Sequence, residues 1–91
     1  MLVIVVYDIP NNKRRTKLAN FLEGHGKRVQ LSVFECFMNL FEMQQLYEQV
    51  QKRVKPEEDN VRFYWIPNDA KTRILIIGSE QPKPTPDFMV I

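Results

Sequence analysis

Asp8 is the first charged side chain after the apolar run Leu2–Tyr7. Sites in sheet proteins gather at strand ends, where a rigid element delivers a side chain to the surface. A carboxylate there is a hard oxygen ligand suited to Mg²⁺, or to Mn²⁺. The plainer reading is that an Asp before Ile9-Pro10-Asn11-Asn12 makes an Asx-turn or caps a helix. One carboxylate per chain is a poor metal site. A two-fold axis would set a second Asp8 beside the first.

Cations follow closely. Lys13, Arg14, Arg15, Lys17, Lys27 and Arg28 stand against Glu23 alone between residues 13 and 28, a local charge of +5. Arginine forks match phosphate oxygens bidentately. A metal-binding carboxylate flanked by cations suits a phosphodiester substrate, whereas a solvated helix face explains the same charges without one. Ser32 and Phe34 share a strand face. Ser32 offers a hydroxyl to a phosphate, and Phe34 either stacks on a base or closes a core. Tyr7 ends a core strand, and its hydroxyl needs a partner. His25 has no carboxylate or second ligand at a meaningful spacing. Cys36 is the only cysteine, so one chain forms neither a disulfide nor a thiolate cluster. No phosphate-binding glycine loop and no H-E-x-x-H are present.

The elements that must position these residues fit one domain of 91 residues. A domain of this size buries only a little over ~60% of its unfolded surface, so association with a second copy is expected. The longest apolar run is far short of the ~20 residues of a membrane span, is too short for a secretory core and has no basic segment before it, which predicts a cytoplasmic protein. Net charge is only +2, and residues 42–59 carry a local −2, so the positive charge lies toward one end of the chain.

Leu2–Tyr7 reads as a central strand covered on both faces. A helix follows to about His25 with Leu18, Ala19, Phe21 and Leu22 on its buried stripe. Val29–Asn39 alternates and reads as one long bent strand or two short ones. Met43, Leu46, Tyr47, Val50 and Val54 keep helical spacing, and Pro56 limits that helix. Val61–Ile66 and Arg73–Ile77 read as strands around the turn Pro67-Asn68-Asp69. Pro82, Pro84 and Pro86 make an extended arm before the apolar Phe88–Ile91, which would fray or add to a sheet edge. Two amphipathic helices on one face of a four-stranded antiparallel sheet give an α+β sandwich of the ferredoxin-like kind. The domain would span residues 1–79 and the arm 80–91. The uncovered sheet face would hold side chains such as Phe34 or Trp65, for a second subunit to cover.

Three segments together resemble the CRISPR-associated protein 2 family: Val5-Val6-Tyr7-Asp8-Ile9-Pro10, Lys13-Arg14-Arg15-Thr16-Lys17-Leu18, and Arg28-Val29-Gln30-Leu31-Ser32-Val33-Phe34-Glu35. Pro56-Glu57-Glu58-Asp59-Asn60-Val61-Arg62 resembles that family's acidic loop and next strand. Cys36 stands where many relatives have glycine, and Leu31 where many have an aromatic. The resemblance implies a homodimer in which the C-terminal strand pairs with the partner's sheet and the two Asp8 side chains hold Mg²⁺. It implies a metal-dependent endonuclease acting on single-stranded RNA or double-stranded DNA in spacer acquisition. Asp8, Arg15, Arg28, Ser32 and Phe34 fall on its catalytic positions. Tyr7, Lys13, Arg14, Arg15, Lys17, Lys27 and Arg28 would face nucleic acid. The same dimer would alternatively be a non-catalytic DNA scaffold for the CRISPR-associated integrase subunit. A ribonuclease toxin of related fold, such as the virulence-associated D proteins, also fits these residues.

Overall fold

The computed structural model describes residues 1–78. The chain runs β1 (Leu2–Asp8), α1 (Asn12–Glu23), β2 (Lys27–Gln30), β3 (Val33–Phe37), α2 (Leu40–Gln51) and β4 (Asn60–Ile66). A 3₁₀ helix, Asn68–Arg73, follows. The sheet order is β2-β3-β1-β4 with every pairing antiparallel, the ferredoxin-like arrangement expected from the sequence.

Alternation along β1 explains the packing. Val3, Val5 and Tyr7 join Leu18, Ala19 and Leu22 of α1 and Leu46 and Val50 of α2 in one core. Burying each of these valine and leucine side chains contributes about 1.5–3 kcal/mol. Both helices start at asparagine caps. The Asn11 side chain accepts the Arg14 N–H at 2.9 Å. Asn39 and Glu42 exchange hydrogen bonds of 2.8 and 2.9 Å in a reciprocal box. Lys52 caps α2, so Val54 lies beyond the helix although its spacing continues the apolar stripe.

The even-numbered residues of β1 point the other way. Ile4 and Val6 are only half-buried, so that face of the central strand is not closed as expected. Neither Phe34 nor Trp65 belongs to it. The register sets Phe34 beside Val5 and Trp65 beside Val3, which puts both on the helix-covered face. The open face carries Ile4, Val6, Val33, Glu35, Arg62, Tyr64 and Ile66 instead. A second correction concerns Arg73–Ile77. Arg73 ends the 3₁₀ helix, residues 74–77 pair with no strand among the described residues, and Leu75 and Ile77 are almost wholly exposed. A short apolar run such as Ile74-Leu75-Ile76-Ile77 does not make a strand without a ladder partner. The Pro-containing arm and the C-terminal apolar residues lie outside the described residues.

Residues 27–37 form two strands, joined by the short turn Leu31-Ser32, with a register shift between Arg28 and Gln30. This hairpin approaches the end of α1 very closely at Gly26. A Cβ there would lie 2.5 Å from Cys36 Sγ and 2.5 Å from the Glu35 carbonyl oxygen.

Candidate metal and nucleic-acid site

Asp8 is the last residue of β1 and is exposed. It caps no helix, because Asn11 does that, so the plainer reading of its place in the sequence falls away. Among the described residues, no hydrogen bond or ion pair engages its carboxylate. The register puts it opposite Asn60, the first residue of β4.

Tyr7, one residue earlier, points to the opposite face and is 3% exposed. Its N–H donates to the Ser32 carbonyl at 3.1 Å, and its hydroxyl donates to the Leu31 carbonyl at 3.0 Å. The end of β1 is thereby tied to the β2–β3 turn. Arg28 donates to the same hydroxyl at 3.4 Å and lies 5.5 Å over the Phe34 ring, with Glu23 at 3.9 Å. The hydrogen bond to Tyr7 raises the Arg28 pKa, so this guanidinium stays charged. Phe34 is fully buried and stacks toward Tyr7 with ring centroids 6.3 Å apart. It is the floor under Arg28, and of the two roles expected of this ring its full burial is that of packing.

Arg15 braces the segment that follows Asp8. One guanidinium nitrogen donates to the Ile9 carbonyl at 2.9 Å and to the Pro10 carbonyl at 3.4 Å, and the other donates to the Asn12 side chain. Arg14 has a different task. Its guanidinium grips Asp59 through two hydrogen bonds of 2.9 and 3.0 Å. Asp59 also accepts the Lys55 N–H at 2.9 Å, and its side chain is fully buried. The Arg14 hydrogen bond, and behind it the Lys55 N–H, holds the Asp59 carboxyl below the usual carboxylate range. Arg14, expected to face nucleic acid, is thus spent on an internal clamp.

Lys13, Lys17 and Lys27 are exposed, and Ser32 is half-buried at the turn. The expected residues therefore divide into groups around one end of β1. Asp8 is on the open face. Tyr7, Phe34 and Arg28 share the helix-covered face, and Arg15 lies along the intervening loop. Two residues outside the expected set belong here: Asp59, which anchors Arg14, and Asn60, opposite Asp8. Counting an antiparallel β4 back along β1 would have found Asn60. No sequence signal marks Asp59 as buried.

Residues 1–74 match the family model described as CRISPR associated protein Cas2. The chain belongs to the Cas2 family. It is 41% identical over 90 residues to the CRISPR-associated endoribonuclease Cas2 3 of Synechocystis sp., covering 99% of this chain and 97% of that protein. The solved structure of Streptococcus pyogenes Cas2 at pH 6.5 is similar with a TM-score of 0.71 and 30% identity, over 86% of this chain and 100% of that one. A chain of a partial Cas6-RT-Cas1–Cas2 complex is similar with a TM-score of 0.70 and 34% identity, over 84% of this chain and 89% of that one. The likeness to Cas2 proteins thus extends over the fold that carries Asp8. No described helix is long and apolar enough to cross a membrane.

Proposed function

We propose that this Cas2-family protein is a homodimeric, metal-dependent endonuclease of CRISPR spacer acquisition, with its centre at the paired Asp8 carboxylates. The observation that carries the reading is an exposed carboxylate, free of protein partners among the described residues, at the rim of a sheet face that the helices leave open. That face presents the half-buried Ile4, Val6, Val33 and Ile66 to a second copy.

The donor chemistry fits Mg²⁺ or Mn²⁺, because a free carboxylate is a hard oxygen ligand. No group of three acidic, histidine or cysteine side chains gathers among the described residues. One chain therefore supplies one carboxylate, and the second is Asp8 of the partner subunit. When bound, Mg²⁺ supplies charge stabilisation for a phosphodiester under attack by water. The chain's own residues do the rest. Arg15 holds the loop after Asp8 in one conformation through its carbonyl contacts. Arg28, beside Tyr7 and Phe34 on the other face of the sheet, offers a permanent cation to the nucleic-acid backbone away from the metal itself. The Ser32 hydroxyl can donate to a phosphate oxygen. Lys13, Lys17 and Lys27 carry the backbone of a single-stranded RNA or double-stranded DNA.

Cleavage of both substrates should require Mg²⁺, stop with EDTA and vanish in Asp8→Asn. Cleavage that survives in Asp8→Asn overturns the assignment. The exposed Lys13, Lys17 and Lys27 favour a second reading, a dimer that holds DNA for the CRISPR-associated integrase while that partner does the chemistry. Each lysine on a phosphate steepens the salt dependence by about one. Lys13→Ala with Lys17→Ala should then flatten the salt slope of duplex binding by about two per protomer. An unchanged slope places the DNA elsewhere.

A further inference from the structure

We infer that Asn60 supplies the second protein oxygen of the Asp8 centre in each protomer. This rests on the metal-dependent reading of Asp8. The register pairs Asp8 directly with Asn60, the last residue of β1 with the first of β4. Directly opposite residues of an antiparallel pair have Cβ atoms about 4.5–5.5 Å apart and lie on the same face. Both are exposed, and neither side chain is engaged by a hydrogen bond or ion pair among the described residues. A free carboxylate thus stands beside a free carboxamide. An asparagine side-chain oxygen is a neutral hard donor of the kind that completes oxygen-ligand sites for divalent cations.

Neighbouring structure explains why Asn60 stays there. Asp59, the preceding residue, is buried and held by both nitrogens of the Arg14 fork and by the Lys55 N–H. That clamp fixes the entry of the chain into β4, so the Asn60 backbone is anchored on one side by Asp59 and on the other by the ladder to β1. Arg14 then contributes to the centre as a positioning residue two steps removed, although its guanidinium is unavailable to a substrate. With two-fold symmetry the centre has two carboxylates and two amides, one of each from either chain. The amides add ligands without adding negative charge, which suits a site that must also receive a phosphodiester.

The test is direct titration of the full chain with Mn²⁺ alone, followed by electron paramagnetic resonance of the free ion, with thermal melting as the folding control. Wild type, Asn60→Ala, Asn60→Asp and Asp8→Asn are compared. Asn60→Ala should weaken Mn²⁺ binding at least about tenfold, since loss of even an outer partner of a metal ligand costs about 10–100-fold. Asn60→Asp should bind Mn²⁺ at least as tightly as wild type, since it restores an oxygen and adds charge. Unchanged affinity in Asn60→Ala overturns the inference. If Asn60→Ala does not fold, weaker binding by Asn60→Asp overturns it instead. Asp8→Asn separates the two levels. Loss of binding there with none in Asn60→Ala refutes the role of Asn60 alone, whereas undiminished binding in Asp8→Asn refutes the metal-dependent reading beneath it.

Discussion

Gly26→Ala tests whether the hairpin β2–β3 is held by the close approach seen at its start. The added methyl would meet Cys36 Sγ and the Glu35 carbonyl oxygen at 2.5 Å, and Cys36 Cα at 3.0 Å. Ordinary contact begins at 3.4 Å, so the nearest atoms must retreat by about 0.9 Å. Two of the three are backbone atoms of β3, whose neighbours in the ladder are fixed on β1. A side-chain rotation therefore cannot absorb the whole clash. Overpacking of this kind costs about 1–3 kcal/mol. For a domain of this size each kcal/mol lowers Tm by about 4–8 °C, so the melting midpoint should fall by at least 4 °C. The assay is thermal unfolding by circular dichroism at one protein concentration. Gly26→Ala combined with Cys36→Gly removes the sulfur contact but leaves the carbonyl, so it should recover only part of the loss. A displaced β3 also moves Phe34 beneath Arg28, and nucleic-acid binding should weaken along with stability. A Tm within a degree of wild type would refute the argument, and full recovery in the double variant would show that sulfur alone sets the limit.

Acid should remove the contribution of the Arg14–Asp59 clamp. The Asp59 pKa is lowered in the folded chain, chiefly by its Arg14 hydrogen bond, so its stabilisation is complete above the unfolded value of about 3.9 and disappears as pH falls through the folded value. Chemical denaturation should find Asp59→Asn less stable than wild type at pH 6, with the gap closing only below about pH 4. Glu35 behaves oppositely. Burial raises its pKa against the weaker influence of Lys27, so its ionisation begins to oppose folding as pH rises through the unfolded value and does so fully above the folded value. Glu35→Gln should stabilise the chain at pH 7 and lose that advantage at low pH in the same experiment. The Cys36 thiol, buried and pushed up to about 12, should resist a disulfide reagent in the native protein and react on unfolding.

Much of the architecture was legible because its signals are periodic. The valine- and isoleucine-rich Leu2–Tyr7 is the interior strand, and the stripe Leu18, Ala19, Leu22 is the buried face of α1. The choice between one strand and two across residues 29–39 was not legible. Leu31-Ser32 lacks the glycine or asparagine that usually marks a tight turn, and its place is set by Tyr7 bonding across from β1. The face occupied by Phe34 and Trp65 depends on register with β1, which local alternation does not contain. At the site, Asp8 stood out as a lone charge ending an apolar run. Arg14 looked equivalent to Arg15 in a basic segment, yet tertiary structure gives one an internal carboxylate and the other the loop carbonyls. Those assignments depend on residues 45 positions away for Arg14 and six for Arg15, and only the folded chain brings them into reach.

Tyr7 and Asp8 are adjacent in sequence but serve opposite faces of one sheet. Inserting or deleting a single residue within β1 would exchange them. The carboxylate would enter the core beside Phe34, and the phenol would leave its carbonyl partner. Burying an unpaired carboxylate costs several kcal/mol or forces its protonation, so such a frame change loses the fold and the centre together. The length of this strand up to Asp8 is therefore under a parity constraint. Natural variation in chain length is expected to accumulate elsewhere, and comparison of aligned relatives should find β1 free of single-residue gaps.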